Sequence, residues 1–334
     1  MKSKLLNAVF LVLGIGLLWY QYNGMSPEQK INFASSIKSA DYFWLAMAVI
    51  IGALAHLVRA VRWHQLLAPL GHHPRRQSTF LSVMVGYLAN YAVPRLGEVM
   101  RCTTLAREEK VPFNESFGTV IVERIIDMLC LLLVFVITIS VQFSQLSSAW
   151  TEHLYNPASE KLAKLANNPV MLIVVIGALL AVATAFFLLR KKISGKMAGI
   201  IKGFVNGIKA VRKVKNPGLF ILYTLGIWFG YLMSLFICFR CFPETSGLSM
   251  NLALVLLLFG TFGVAFTPGG IGAYQVLVAN VLFSLTKDTP EAVPTAVATS
   301  FAWVSWSSQV ITVLIFTLVA FILQRLSNRR HGKA

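Results

Sequence analysis

The sequence predicts an all-α polytopic membrane protein, with six full spans plus two re-entrant helical hairpins in an inverted-topology repeat. Three observations carry this prediction. Of 334 residues, 56% are hydrophobic and only 13% charged, with a mean hydropathy of +0.68. A soluble domain carries about 25% charged residues, because it must cover its surface with them. The 30 Lys+Arg against 13 Asp+Glu, a formal net charge of +17, are spread unevenly, as they are in cytoplasmic loops. Finally, apolar stretches recur twice in one order, each time interrupted by a proline-glycine break. A soluble enzyme, a disordered chain and a secreted disulfide scaffold are excluded by the same arithmetic. In an apolar chain, excess positive charge marks inner loops and contact with anionic lipid rather than nucleic acid.

A bilayer-spanning helix needs about 20 mostly apolar residues, since hydrocarbon offers bare backbone groups no partner. Six stretches meet that length: 5–22, 42–58, 117–143, 169–189, 219–239 and 301–323. The first follows Lys2 and Lys4, as a signal peptide would. No small-residue cleavage site follows it, and Gln21-Tyr22-Asn23-Gly24-Met25 reads as an interface, so a retained helix is expected.

Two further apolar regions are too short and too broken to be simple spans. Residues 78–93 end at Pro94 and pass into Arg95-Leu96-Gly97-Glu98. Residues 251–266 end at Thr267-Pro268-Gly269-Gly270, and a second apolar piece covers 273–285. Proline and glycine between half-length apolar helices predict a hairpin that turns inside the membrane, where protein or water must cover the irregular backbone.

With the N-terminus inside and each hairpin returning to its own side, the cytoplasmic segments hold 23 basic and 4 acidic residues. The outer segments hold 6 basic and 7 acidic, leaving Glu123, Arg124 and Asp127 within the third span. That asymmetry places both termini in the cytoplasm of a multi-pass protein of the cell (inner) membrane. The chain then reads as a single membrane domain, 1–334, in two halves. Residues 1–143 and 169–323 each run span, span, hairpin, span, from opposite sides, which is the pattern of an inverted repeat. Such repeats place substrate near the midplane, where broken helices present partial charges.

Three clusters stand out as candidate substrate-binding and gating elements. In Asn90-Tyr91-Ala92-Val93-Pro94-Arg95-Leu96-Gly97-Glu98-Val99-Met100-Arg101, Pro94 and Gly97 shape the turn, while Arg95 and Arg101 offer planar forks for phosphate. Glu98 and Arg101, three apart, are placed to pair on a helix; the competing reading is an interfacial loop in the headgroup layer. Glu123-Arg124-Ile125-Ile126-Asp127 lies inside a span, where each charge costs about 2.5–3.5 kcal/mol near the centre and must face protein or water. Glu123 and Asp127 share a face at i,i+4 and Arg124 reaches Asp127 at i,i+3. They would fix or neutralise Arg95 and Arg101, relay protons, or form a purely structural network. In Thr267-Pro268-Gly269-Gly270-Ile271-Gly272-Ala273-Tyr274-Gln275, glycines before a helix start can offer N–H groups to an anion, with Gln275 beside them, or simply make a tight turn. No Lys-Ser/Thr follows, so this is no nucleotide loop.

Other features read as structural. Arg59, Arg62 and Trp63 close the second span as an interfacial belt. Residues 190–215, with nine basic side chains, read as a basic cytoplasmic interfacial helix on anionic lipid. Cys238-Phe239-Arg240-Cys241 is a lone C-x-x-C ending a span rather than starting a helix, and His72-His73 have no ligand partner in sequence. No catalytic residue, metal site or cofactor is predicted.

Taken as a set, Asn90, Pro94, Gly97-Glu98, Arg101, Glu123-Arg124, Asp127 and Pro268-Gly269-Gly270-Ile271-Gly272 resemble the flippase-like membrane domain of the lysylphosphatidylglycerol synthase/flippase family. Arg59-Ala60-Val61-Arg62-Trp63 is similar to its second-span ending. The resemblance covers 5–325 and implies movement of aminoacylated phospholipid between leaflets, often beside a fused synthase domain. That domain is expected to be absent, since the chain ends at Ala334, so lipid-linked glycan and plain phospholipid stand beside aminoacyl lipid as substrates. An acidic residue implied after the glycine motif has Ala273-Tyr274-Gln275 in its place, and its role is not carried over.

The function expected is therefore a lipid flippase or scramblase. Its predicted partners are membrane lipids with anionic or zwitterionic headgroups, with a homodimer left open and no nucleic acid. Arg101→Ala and Glu123→Ala are expected to abolish translocation with folding intact. The alternatives are a non-catalytic membrane partner of a cell-envelope lipid or glycan synthase, and an intramembrane lipid transferase using Glu98, Glu123 or Asp127.

Overall fold

The computed structural model describes residues 16, 18–93, 95–150 and 214–330, and among these it is helical without a strand. Among the described residues, α-helices with both ends in view follow in order: α1 Pro27–Ser39, α2 Tyr42–Leu67, α3 Arg76–Ala92, α4 Leu96–Glu109, α5 Phe113–Trp150, α6 Pro217–Cys238, α7 Met250–Phe266, α8 Ala273–Thr286 and α9 Thr295–Arg330. Their starts follow local chemistry. Ser26 and Gln29 close a capping box on α1, Asp41 accepts from the Phe43 N–H at 3.0 Å, and Pro217 occupies the first turn of α6, where its missing donor costs nothing.

Three helical stretches among the described residues are long and apolar enough to cross a membrane: Tyr42–Leu70, Pro217–Cys241 and Thr295–Arg329. They contain the predicted spans 42–58, 219–239 and 301–323. The stretch 117–143 lies within α5, which runs for 38 residues. The predicted spans 5–22 (but for its last few residues) and 169–189, and nearly all of the basic segment 190–215, lie outside the described residues. The chain divides into two compact units, residues 1–131 with 210–334, and residues 132–209. The second unit contributes the later turns of α5; everything below concerns the first.

Between the long helices lie two helix pairs of matching size. In the first, α3 has 17 residues and α4 has 14; in the second, α7 has 17 and α8 has 14. Among the described residues the order long helix, helix pair, long helix therefore occurs twice, as α2, α3–α4, α5 and then α6, α7–α8, α9. At roughly 1.5 Å per residue the paired helices are about 21–26 Å long, short of the ~30 Å hydrocarbon core.

Two hydrophobic cores result, and α9 serves both. One gathers Leu252, Leu256, Tyr274, Val278, Leu282 and Phe301 around the second pair; the other gathers Trp63, Leu67, Phe80, Met84, Leu105 and Val313 around the first. In lipid, helix association draws little from apolar burial and more from close packing and polar contacts. Hydroxyls along α9 accordingly bond out of their own helix: Thr312 donates to the Val49 carbonyl at 3.3 Å and Thr317 to that of Met84 at 3.4 Å. Side chains such as Ile50, Leu54, Ile221, Leu225, Leu314 and Leu318 face outward, as a lipid-facing surface requires.

The open end of the first pair is tied to the end of α9. Arg75 Nε donates to Glu109 Oε1 at 2.6 Å, and Nη1 of the same guanidinium reaches Ser327 at 3.1 Å. Ser78 also donates to Glu109, while Gln324 Nε2 donates to Glu108 at 2.8 Å. These bonds hold the open ends of α3 and α4 to α9, while their joined ends, near Asn90 and Gly97, are held to each other.

Candidate functional site

The predicted interfacial role of Arg59, Arg62 and Trp63 needs correction. Helix α2 does not end at Val58 but continues to Leu67, and all three side chains are buried, Arg62 and Trp63 completely. The physical reason lies on α5. Arg59 and Arg62 share a face at i,i+3, and Glu123 and Asp127 share a face at i,i+4, so the helices present complementary charge pairs. Arg59 Nη1 donates to Asp127 Oδ2 at 2.7 Å and stands 3.7 Å from Glu123. Arg62 Nη2 donates to Glu123 Oε1 at 2.9 Å and Asp127 Oδ1 at 3.0 Å, and its Nη1 donates to Thr224 on α6 at 3.1 Å. Arg59 Nε donates to the Tyr231 hydroxyl at 3.2 Å, which lies 3.1 Å from that of Tyr87 on α3.

Helix α4 adds two more charges. Arg101, 3% exposed, puts Nη2 at 2.6 Å from Glu123 Oε2 and lays its guanidinium 3.7 Å over the Trp63 ring. That ion contact is close but misaligned: neither Nε nor Nη2 of Arg101 makes a hydrogen bond, nor does Glu123 Oε2. Glu98 does not pair with Arg101, as their spacing suggested, but with Arg124 across the helix boundary at 3.1 Å. Arg124, 40% exposed, also stands 3.7 Å from Asp127, the i,i+3 contact expected. Four guanidinium and three carboxylate groups thus meet where α2, α4, α5 and α6 converge.

The cluster opens into a narrow cleft lined by Val83, Gly86, Tyr87, Asn90, Gly97, Arg101 and Arg124. Its free volume of about 10 Å³ is near the lower limit for one water molecule. Local geometry at Gly97 makes the cleft. Gly86 and Gly97 let α3 and α4 touch backbone to backbone, and a Cβ on Gly97 would collide with the Gly86 carbonyl and come 2.6 Å from the Asn90 amide. Asn90 Oδ1 accepts from the Gly97 N–H at 2.7 Å, capping a helix whose own N-cap residue, Arg95, supplies no side-chain bond.

The remaining predicted residues lie apart from the cluster. Arg95 sits at the turn with φ 64°, exposed, and makes no ion pair among the described residues. Pro94 lies outside the described residues. The second turn approaches the first pair: the Tyr91 ring abuts Gly269, and Trp306 Nε1 donates to the Gly269 carbonyl at 2.8 Å. Gly269, Gly270 and Gly272 all have positive φ. Three N–H groups of this turn are engaged within it, with Gly270 bonded to Thr267 at 3.0 Å, Ile271 to Pro268 at 3.2 Å and Gly272 to Gln275 Oε1 at 2.9 Å. Thr267, Pro268 and Gln275 are buried, and Nε2 of Gln275 has no hydrogen-bond partner. The turn is therefore a contact surface for the first pair.

Among the described residues, no three His, Cys, Asp or Glu side chains gather as metal ligands would. Cys238 and Cys241 are buried free thiols, and His72 contacts Glu115 at 2.7 Å. Sequence reasoning passed over Arg59, Arg62, Tyr87 and Tyr231 as members of the site. The usable signal was two arginines three apart on an otherwise apolar helix, matched by two carboxylates four apart on another.

Comparisons with known proteins point to a membrane-protein family. A family model described as lysylphosphatidylglycerol synthase TM region matches residues 7–305. A UPF0104 membrane protein of Methanocaldococcus jannaschii is 30% identical over 87 residues, which is 25% of this chain and 26% of that protein. The alignment thus spans about a quarter of that relative's length. No solved structure matches.

Proposed function

Because the chain belongs to the lysylphosphatidylglycerol synthase TM-region family, we propose that it is a lipid flippase or scramblase. It would move a phospholipid, aminoacyl lipid or lipid-linked glycan between leaflets of the cell membrane. The observation that carries this reading is Arg101, a buried guanidinium with unaligned donors at the head of a cleft between two short helices. A charged group buried in an apolar protein is costly, and this one lines a cavity with its Nε left without an acceptor. A headgroup phosphate supplies the missing acceptors, while its acyl chains stay in the bilayer.

At about 10 Å³ the cleft is too small for a headgroup, so transport requires the two helix pairs to part. The clasp at Glu108 and Glu109 fixes one end of the first pair to α9, so the parting would fall at the contact between Tyr91 and Gly269. The matched 17- and 14-residue pairs support an inverted repeat with re-entrant hairpins, and the charge asymmetry supports both termini inside. Opening the two pairs alternately would expose the site first to one leaflet and then to the other.

The test is leaflet-resolved translocation of tail-labelled phospholipid in proteoliposomes. Arg101→Ala removes a charged hydrogen-bonding group of about 1.5–3 kcal/mol, so the rate should fall by about 10- to 100-fold. Arg101→Lys should recover little of it, since a point charge replaces a planar fork. Unchanged rates in both variants, with unaltered gel-filtration profiles, would remove Arg101 from the site.

A further inference from the structure

The charged cluster has a titratable neighbour outside the ion pairs. His56 lies on α2, one turn before Arg59 on the same face, in the apolar run 51–58. Its ring is buried, its Nδ1 has no hydrogen-bond partner, and no carboxylate pairs with it among the described residues. The ring centroid lies 4.3 Å from that of Tyr87 on α3 and 5.8 Å from that of Tyr231 on α6. Tyr87 also lines the cleft, as Arg101 and Arg124 do, so His56 stands behind one wall of it. The Tyr87 and Tyr231 hydroxyls lie 3.1 Å apart, and the latter accepts from Arg59 Nε at 3.2 Å. Nη1 of that guanidinium meets Asp127 at 2.7 Å and Glu123 at 3.7 Å, both on α5. Helix α9, packed on α2 where Thr312 meets Gly52, has no charged residue from 295 to 324. Among the described residues, Arg59 is thus the charge that bears on His56.

A buried imidazole nitrogen without a partner is a cost that an apolar side chain of similar size avoids. An ionisable side chain kept inside a membrane domain marks an ion or proton pathway. We infer that His56 is a proton-binding site that makes lipid movement proton-coupled. This deepens the transport reading and rests on it. Imidazole suits the task, since among unperturbed side chains it is the one that changes charge near neutral pH. Water admitted when the helix pairs part supplies the proton, which adds to the lone pair of the unprotonated ring nitrogen. It returns to water when the site opens on the other side, so only an N–H bond forms and breaks. An imidazolium beside Arg59 places two like charges together, which is costly where water is excluded. A headgroup phosphate in the adjoining cleft offsets that cost, and by reciprocity the proton strengthens phosphate binding. Lipid and proton are therefore carried in the same direction.

Two measurements on the full-length protein separate this inference from the transport reading. In the first, vesicles carry a pH gradient of about one unit, and valinomycin with equal potassium holds the membrane potential near zero. Tail-labelled phosphatidylglycerol at trace level is followed leaflet by leaflet, with protein-free vesicles as background. One proton per lipid converts each pH unit into a ratio of up to about tenfold between leaflets, with lipid gathering on the alkaline side. Mixed protein orientations do not blur this result, since the gradient sets its direction. A protonophore should return the ratio to unity, and His56→Gln and His56→Asn should each lose the accumulation. A translocating wild-type protein that leaves the leaflets equal overturns the coupling and leaves transport standing. Accumulation retained in both variants assigns the proton elsewhere and overturns the role of His56.

The second measurement needs neither a bilayer nor a His56 variant that folds. In detergent-purified protein whose other histidines are replaced by glutamine, the imidazole of His56 is read by nitrogen NMR on labelled histidine. Phosphatidylglycerol is added at constant pH, and the protonated fraction of His56 should rise. That rise without any translocation in vesicles supports the proton site and overturns the transport reading instead. An imidazole in one protonation state with and without lipid overturns the inference, and leaves His56 a packing partner of Tyr87.

Discussion

Replacing Glu123 by alanine should lower the thermal midpoint of the purified protein more than any other single change in the charged cluster. Glu123 is fully buried and stands 2.9 Å from Arg62, 2.6 Å from Arg101 and 3.7 Å from Arg59. Its removal leaves Arg101 with no carboxylate contact and leaves Arg59 and Arg62 to share Asp127. Breaking a buried ion pair costs about 3–5 kcal/mol, because the remaining charge stays desolvated. The expectation that Glu123→Ala spares folding is accordingly revised. Differential scanning fluorimetry in detergent checks it: a midpoint within about a degree of the parent would show that these charges are solvated. A second variant keeps the functional question open. Arg101→Ala with Glu123→Ala removes both members of one contact and should be less destabilised than the sum of the single changes.

Gly269→Ala should disable the contact between the second turn and the first helix pair. The backbone at Gly269 has φ 59°, where an L side chain costs about 1–2 kcal/mol, and the added Cβ would collide with the Tyr91 ring. Either the ring moves or the turn withdraws, breaking the 2.8 Å bond from Trp306 to the Gly269 carbonyl. A Gly-to-Ala change helps stability only where the backbone suits alanine, and here it does not. The combined cost should be about 2–4 kcal/mol, read as a loss of thermal stability together with an altered translocation rate. Tyr91→Ala in the same chain should return the steric part and leave the backbone part. If the double variant is no more stable than Gly269→Ala alone, the Tyr91 contact is not the source of the effect.

These two residues illustrate how far the amino-acid sequence reaches. Glu123 was conspicuous because an apolar stretch containing Glu-Arg-Ile-Ile-Asp must shelter its charges. Gly269 was conspicuous because proline and glycine interrupt two apolar segments. The breaks at 93–95 and 267–272 were placed to within a residue or two, and so were both helices of the second pair. What failed to show was partnership. Glu98 had Arg101 three residues away, at a spacing that favours pairing, yet it meets Arg124 on another helix. Arg59 and Arg62 looked like the end of a span because arginine usually marks a membrane interface. Only the opposing carboxylates of α5, 61 to 68 residues away, keep them inside.

Sequence by itself determined the class of this protein: apolar helices, a strong bias of positive charge, and two short helix pairs broken by proline and glycine. Those properties are local or additive, since the length of an apolar run and the residue that ends it depend on nearby chain. The tertiary structure alone decided which charges cancel and which remain. Burial energy depends on distance between groups far apart in the chain. Four arginines and three carboxylates, dispersed between residues 59 and 127, become one desolvated cluster with a single positive charge to spare. The bulk charge of +17 gave no hint of that remainder, because nearly all of it lies outside the cluster, where water and lipid headgroups screen it.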